Sequence, residues 1–263
     1  MANKYLMQED APLSPELWEL FNSTMIQIAK SELTGRKILP IKGPFGFGLR
    51  QISLSDVEIE PGIFSPKILP LTYIHKTFSI HKRDLAAYEK EAVAVDLSPL
   101  IETTKECAKI EDKLIFEGIA SKGLLNSDGV LKVELTSWKT VGQAVNNVIE
   151  AVTCLDQAGF HGPYLLALSP ERYNLLFRRY ENGNQTEFEH LKTLVKAVYK
   201  APILKDCGVL IHESDVNASV VIGQDMSIGF IGPVGEKLEF SISESLALLL
   251  NVPSSVCVLS SSK

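Results

Sequence analysis

The chain has 263 residues, 45% of them apolar, with a formal net charge of −6 and a pI near 5.5. That length buries a sizeable core as one large domain or two smaller ones, and the ordinary apolar content excludes a disordered chain. The acidic balance argues against nucleic acid as a partner, and no apolar run approaches the roughly 20 residues that span a bilayer.

Ser14-Pro15-Glu16 is a helix start, because the serine hydroxyl can take a free amide while proline fits the first turn. The predicted helix runs to Gly35 in the left-handed closing position, with Trp18, Phe21, Met25, Ile28 and Ala29 as its apolar stripe. A short strand, Ile38 to Ile41, is expected next. In Gly43-Pro-Phe-Gly-Phe-Gly48 the glycines do not follow G-x-G-x-x-G, and Pro44 removes an amide that would cradle a phosphate, so a tight turn is expected.

Between Leu49 and Ile80 apolar residues recur at or near period two. Ile52, Leu54, Val57 and Ile59 lead out to Pro61-Gly62, and Ile68, Leu71, Tyr73 and His75 lead back. Pro-Gly suits the centre of a type II turn, so the segment reads as a hairpin. Eight to ten residues per strand make an arm of about 30 Å, against a radius of gyration of about 18 Å for a compact chain of this length. Either the arm projects and a second subunit covers it, or it folds onto its own core; a lone ribbon is marginal in water.

A second long helix is predicted from Ser98-Pro99 to Gly118, with Leu100, Thr104, Cys107, Ala108, Leu114 and Ile115 on one face. Glu111 falls in the middle of that stripe. It is either a general acid or base or a buried structural carboxylate, and the absence of a nearby histidine favours the second. From Val130 onward helices are expected at Thr140 to Ala158, Pro170 to Tyr180 and Glu187 to Tyr199, the last carrying Lys192, Lys196 and Lys200 on a solvated face. Strands are expected at Tyr164 to Leu168, Val209 to His212, Val220 to Ile222, Ile228 to Ile231, Leu238 to Ile242, Ala247 to Val252 and Val256 to Leu259. The pattern is α+β, with helices on a mainly antiparallel sheet.

Catalytic signatures are missing: there is no G-x-S-x-G elbow, no HExxH and no Walker loop. Histidines 75, 81, 161, 190 and 212 lie far apart, and no metal site is expected. Cys107, Cys154, Cys207 and Cys257 form no CxxC pair, which fits reduced, mostly buried thiols in a cytosol. Met1 to Asp10 lacks the layout of a secretory leader.

Several segments together resemble the encapsulins, the shell proteins of bacterial nanocompartments, also called linocin-like bacteriocins. The matching stretches are Leu33-Thr-Gly-Arg-Lys-Ile-Leu-Pro-Ile41 with Gly43-Pro-Phe-Gly46, Val95-Asp-Leu-Ser98, Ile110-Glu-Asp-Lys-Leu-Ile-Phe-Glu-Gly118, Gly162-Pro-Tyr164 and Gln224-Asp-Met-Ser-Ile-Gly229. In order and spacing they cover nearly the whole chain.

The resemblance implies the capsid fold of tailed phages, like that of phage Hong Kong 97. A peripheral domain would comprise 1–48, 76–130 and part of 220–245, an extended arm 49–75, and an axial domain 131–219 and 246–263. It also implies a cytoplasmic, non-enzymatic, icosahedral shell around a cargo enzyme, a peroxidase or a ferritin-like iron-storage protein. Its partners would be copies of itself and the cargo's C-terminal targeting peptide, with no nucleic acid and no membrane. Carried over by resemblance, Leu33, Arg36, Ile38 and Ile228 would hold that peptide, while Pro40 stands where an acidic residue is often found. Glu181, Asn182, Gly183, Asn184, Gln185 and Thr186 would line a five-fold pore. Some relatives stack a flavin on a tryptophan just after the arm; Ile80 to Leu85 has none, so no cofactor is expected. The alternatives are a phage coat of the same fold, which would package DNA, and a hydrolase or secreted bacteriocin, which would need a nucleophile with an oriented base or an export signal.

Overall fold

The computed structural model describes residues 4–119, 122–181 and 183–261. Two short 3-10 turns, Lys4–Leu6 and Gln8–Asp10, precede helix α1 (Pro15–Glu32) and the helical turn α2 (Gly35–Ile38). Strands β1 (Ile41–Lys42), β2 (Gln51–Glu60), β3 (Ile63–Pro70) and β4 (Thr72–His81) lead to α3 (Lys82–Glu91) and α4 (Ser98–Phe116). Then come β5 (Leu131–Glu134), α5 (Gln143–Gln157), β6 (Tyr164–Leu168), α6 (Pro170–Leu175), α7 (Glu187–Leu194) and β7 (Ala197–Lys200). Strands β8 (Cys207–His212), β9 (Ala218–Ile222), β10 (Ser227–Val234), β11 (Lys237–Leu250) and β12 (Val256–Ser260) complete the chain.

The strands form a five-stranded sheet in the order β1-β9-β11-β10, with β4 also on β11, a second sheet β5-β12-β8-β6-β7, and the isolated pair β2-β3. The chain divides into two compact units: Met1–Leu33, Lys42–Glu111 and Val221–Ala247 make the first, and Thr34–Ile41, Asp112–Val220 and Leu248–Lys263 the second.

In the first unit β4 and β10 flank β11 in antiparallel register, Phe78 and Phe230 each facing Phe240. Ser14 caps α1 by accepting the Leu17 amide, as its sequence predicts. The helix buries Leu17, Phe21, Met25 and Ala29, and Phe21 lies edge-on to Phe240 with ring centroids 5.6 Å apart. Trp18 and Ile28, expected on the stripe, are only half-buried, and Leu17 takes the inner place.

The second unit packs α5 through Ala144, Val145, Val148, Ala151 and Leu155 onto Leu166, Leu168, Leu210, Cys257 and Leu259 of its sheet. That sheet is antiparallel at its centre and parallel at both edges, β12 with β5 and β6 with β7. Buried Asn147 is fully used: its oxygen accepts from the Thr136 amide, the Thr136 hydroxyl and Trp138 Nε1, and its amide donates to Glu134 and Glu150.

Several expectations are corrected. Gly35 does not close α1, which ends at Glu32 on an extended Leu33; it opens the helical turn α2, and of the strand expected at Ile38 to Ile41 only Ile41 is in a strand, β1. The position is tightly packed, since a Cβ there would lie 2.5 Å from Ile115 Cδ1 and force that side chain to shift. Helix α6 stops at Leu175 instead of Tyr180, and α7 stops at Leu194, where Val195 turns extended. Ala197–Lys200 is a strand parallel to β6, so Lys196 and Lys200 do not share a helix face with Lys192. The two strands expected at 238–242 and 247–252 are one, β11. Its polar middle, Ser243-Glu244-Ser245, is buried in the sheet, and Gln224 hydrogen-bonds both serines.

Candidate functional site

The arm is the most exposed structured element. Strands β2 and β3 pair only with each other, Gln51 facing Pro70 and Glu60 facing Ile63, around Pro61-Gly62. Gly62 has φ +80°, as a type II turn requires, and Glu58 Oε1 accepts its amide at 2.8 Å. The return strand ends at Pro70, earlier than the alternation suggests, although the Leu71 amide still donates to Arg50 O at 2.8 Å before β4 begins. Tyr73 and His75 belong to β4, where they pair with Ser245 and Ser243 of β11. Val57, Ile59, Ile63, Phe64 and Ile68 are 48–65% exposed. Of the two fates left open by the sequence, the arm therefore takes the projecting one.

The glycine-rich turn after β1 is no phosphate cradle. The Phe45 amide donates to Ile222 O and the Gly46 amide to Gly223 O, so these two amides are not free for an anion.

The expected docking residues lie at two places in the sequence order of the units. Leu33 and Ile228 belong to the first, Arg36 and Ile38 to the second. Leu33, Ile38 and Ile228 are buried, and only Arg36 keeps partial exposure. Ile228 also carries a contact that sequence reading missed: its carbonyl accepts from Gln8 Nε2 at 2.6 Å. Asp112, likewise unforeseen, holds the turn at 34–35 by accepting the Thr34 amide at 2.9 and 3.1 Å and the Gly35 amide at 2.8 Å.

The loop at 181–186 springs from a fixed root. Arg179 and Thr186 form an antiparallel bridge, the Tyr180 amide donates to Gln185 O, and Tyr180 Oη lies 3.0 Å from His190 Nδ1. Asn182 lies outside the described residues; Glu181, Gly183, Asn184 and Gln185 are exposed, and Thr186 caps α7 in a reciprocal capping box with Glu189. Fully buried Glu187 accepts the amides of Gly142 and Ala144 and pairs with Arg178 at 3.2 Å, closing a clamp around both ends of the loop. The capping pattern Thr-x-x-Glu was visible in the sequence, but the inward turn of Glu187 was not.

Glu111 is fully buried and partnered. Cys107, one turn before it, has its thiol pushed up to about 12 by burial and then by the charge of Glu244, so it stays protonated at neutral pH. Among the described residues no group of three or more potential ligands could hold a metal, and no helix is long and apolar enough to cross a membrane. The histidines serve locally; His81 accepts the Arg83 amide at the start of α3, and His212 Nε2 donates to Gly162 O.

Residues 3–247 match the family described as encapsulating protein for peroxidase. The chain is 30% identical to the type 1 encapsulin shell protein EncA of Myxococcus xanthus, over 97% of this chain and 96% of that one. Among solved structures, the virus-like particle of Pyrococcus furiosus superposes with a TM-score of 0.77 at 22% identity, covering 93% of this chain and 99% of that one. The capsid of Myoviridae phage XM1 follows the same fold with a TM-score of 0.62 at 13% identity, covering 85% and 90%. The fold is that of the tailed-phage capsids, and the chain belongs to the encapsulin family of self-assembling, non-enzymatic shell proteins that enclose cargo.

Proposed function

We propose that this chain builds a closed icosahedral shell in the cytoplasm, and that its cargo is captured on the inner face through a short C-terminal peptide. The observation that carries the reading is the arm: two strands paired only with each other, with five large apolar side chains in water. Such an element is stable when a second subunit covers it. Residues 131–219 and 246–263 would stand at the symmetry axes as the axial domain, with Glu181 to Thr186 around the pore, and 1–48, 76–130 and part of 220–245 would be the peripheral domain. A polar, exposed loop on a clamped root supports that role, since it can set the width of an opening without collapsing into it.

Leu33, Arg36, Ile38 and Ile228 remain the proposed peptide contacts. Because the three aliphatic residues are buried and Arg36 is partly exposed, Arg36 is the one whose replacement tests recognition without opening a cavity in the apolar core. No flavin is proposed, as Ile80 to Leu85 offers no tryptophan.

Purified from its native host, the protein is expected as hollow particles of megadalton mass with one enzyme inside. Removing the C-terminal tail of that co-purifying enzyme should leave the shells empty, and Arg36→Glu should lower loading with shells intact. Monomers or small oligomers at every concentration would refute the shell. Full loading of a tail-less enzyme would refute the peptide. A co-purifying genome would instead favour a phage coat.

A further inference from the structure

The second unit holds two cysteines that the proposed shell leaves without a role. Cys154 lies in the last turn of α5 and Cys257 near the start of β12, the strand on which that helix packs. Cys257 is fully buried in the apolar core of the unit, while Cys154 packs against the same core and keeps partial exposure. Both are free thiols, and the Cys257 thiol hydrogen-bonds Cys154. The two sulfurs therefore meet across the seam between helix and sheet, with the converging side chains that a disulfide needs.

The two thiols differ in access and in acidity. Burial pushes the Cys257 thiol up to about 12, and Cys154 beside it pushes the same way, so Cys257 is protonated at neutral pH. Half-buried Cys154 is the one that a small solute reaches first.

We propose that Cys154 and Cys257 form an oxidation site, at which a hydroperoxide converts the two thiols into a disulfide that ties α5 to β12. The Cys154 sulfur attacks one peroxide oxygen: the S–O bond forms, the O–O bond breaks, and the departing hydroxide takes the thiol proton to become water. The Cys257 sulfur then attacks the sulfenic sulfur of Cys154. The S–S bond forms, the S–O bond breaks, and the leaving hydroxide takes the Cys257 proton as a second water. Two thiols lose two electrons and two protons, and one molecule of hydrogen peroxide is reduced to two of water. The thiolate fraction of Cys257 is small, and contact between the sulfurs offsets it by making the second step intramolecular. The product closes a loop of about 100 residues, which restricts the unfolded chain more than a short bridge does.

The test treats the full-length protein with a small excess of hydrogen peroxide and follows it by thiol titration and peptide mass mapping. Two of the four thiols are expected to disappear, with one peptide pair joining Cys154 to Cys257, Cys107 and Cys207 still reduced, and the change reversed by dithiothreitol. The thermal midpoint should rise on oxidation and return on reduction. Cys257→Ser is expected to stop at a sulfenic acid on Cys154 that dimedone traps, whereas Cys154→Ser should leave Cys257 unmodified at the same dose. Sulfinic acid on Cys154 with no bridge, a bridge between two copies, or four intact thiols would overturn the proposal. Should a serine variant fail to fold, the mass map of the unsubstituted protein decides alone. Particles need not form for this result to be read, so its failure is separate from that of the shell.

Discussion

Asp112 shows how much one carboxylate can settle. Its two oxygens accept from the Thr34 and Gly35 amides in a buried place, doing for that turn what no cap residue in the local sequence does. Asp112→Ala would strand both amides away from water, and each such loss costs about 1–3 kcal/mol. The variant is therefore expected to lose about 2–4 kcal/mol in urea unfolding at fixed protein concentration, with Asp112→Asn losing less because one acceptor survives. An unchanged midpoint would mean that water reaches the turn. The Arg178–Glu187 pair follows the same logic at the loop, where a buried charge is tolerated only because a guanidinium and two amides meet it. Neither device was legible in the sequence, because each depends on which distant backbone amides the fold brings to the carboxylate.

Among the elements, what could be read and what could not follow from where the information lies. Start signals are local, so Ser14-Pro15 and Ser98-Pro99 placed α1 and α4 correctly. Stop signals yielded to tertiary contacts. Ala197–Lys200 continues the helical pattern of α7 on paper, yet its Val198 and Tyr199 serve better beside β6, and the helix gives way to an edge strand. Ser243-Glu244-Ser245 looked like a loop for a similar reason, since polar residues inside a sheet cannot be told from a turn until Gln224 arrives beside them. The arm was legible because its signal is period two plus Pro-Gly, both local. Deleting 55–66 should therefore yield a soluble, folded subunit with unchanged helix content by circular dichroism that no longer closes into shells by light scattering. Intact shells from that deletion would show that the arm is ornamental to closure.

The whole molecule balances two terms when copies meet. In the proposed shell, apolar side chains on the arm would draw subunits together, whereas a charge of −6 on each copy would push them apart. The two respond differently to conditions. Apolar association weakens on cooling, because its driving force near room temperature is entropic. Charge repulsion fades with salt, as the screening length shortens from about 10 Å at 0.1 M to about 3 Å at 1 M. The subunit concentration at which shells form should therefore rise on cooling at fixed salt and fall on adding salt at fixed temperature, both read by light scattering. A threshold that fell on cooling and rose with salt would mean that ion pairs between subunits, and not the exposed faces of Val57, Ile59, Ile63 and Phe64, hold the wall together.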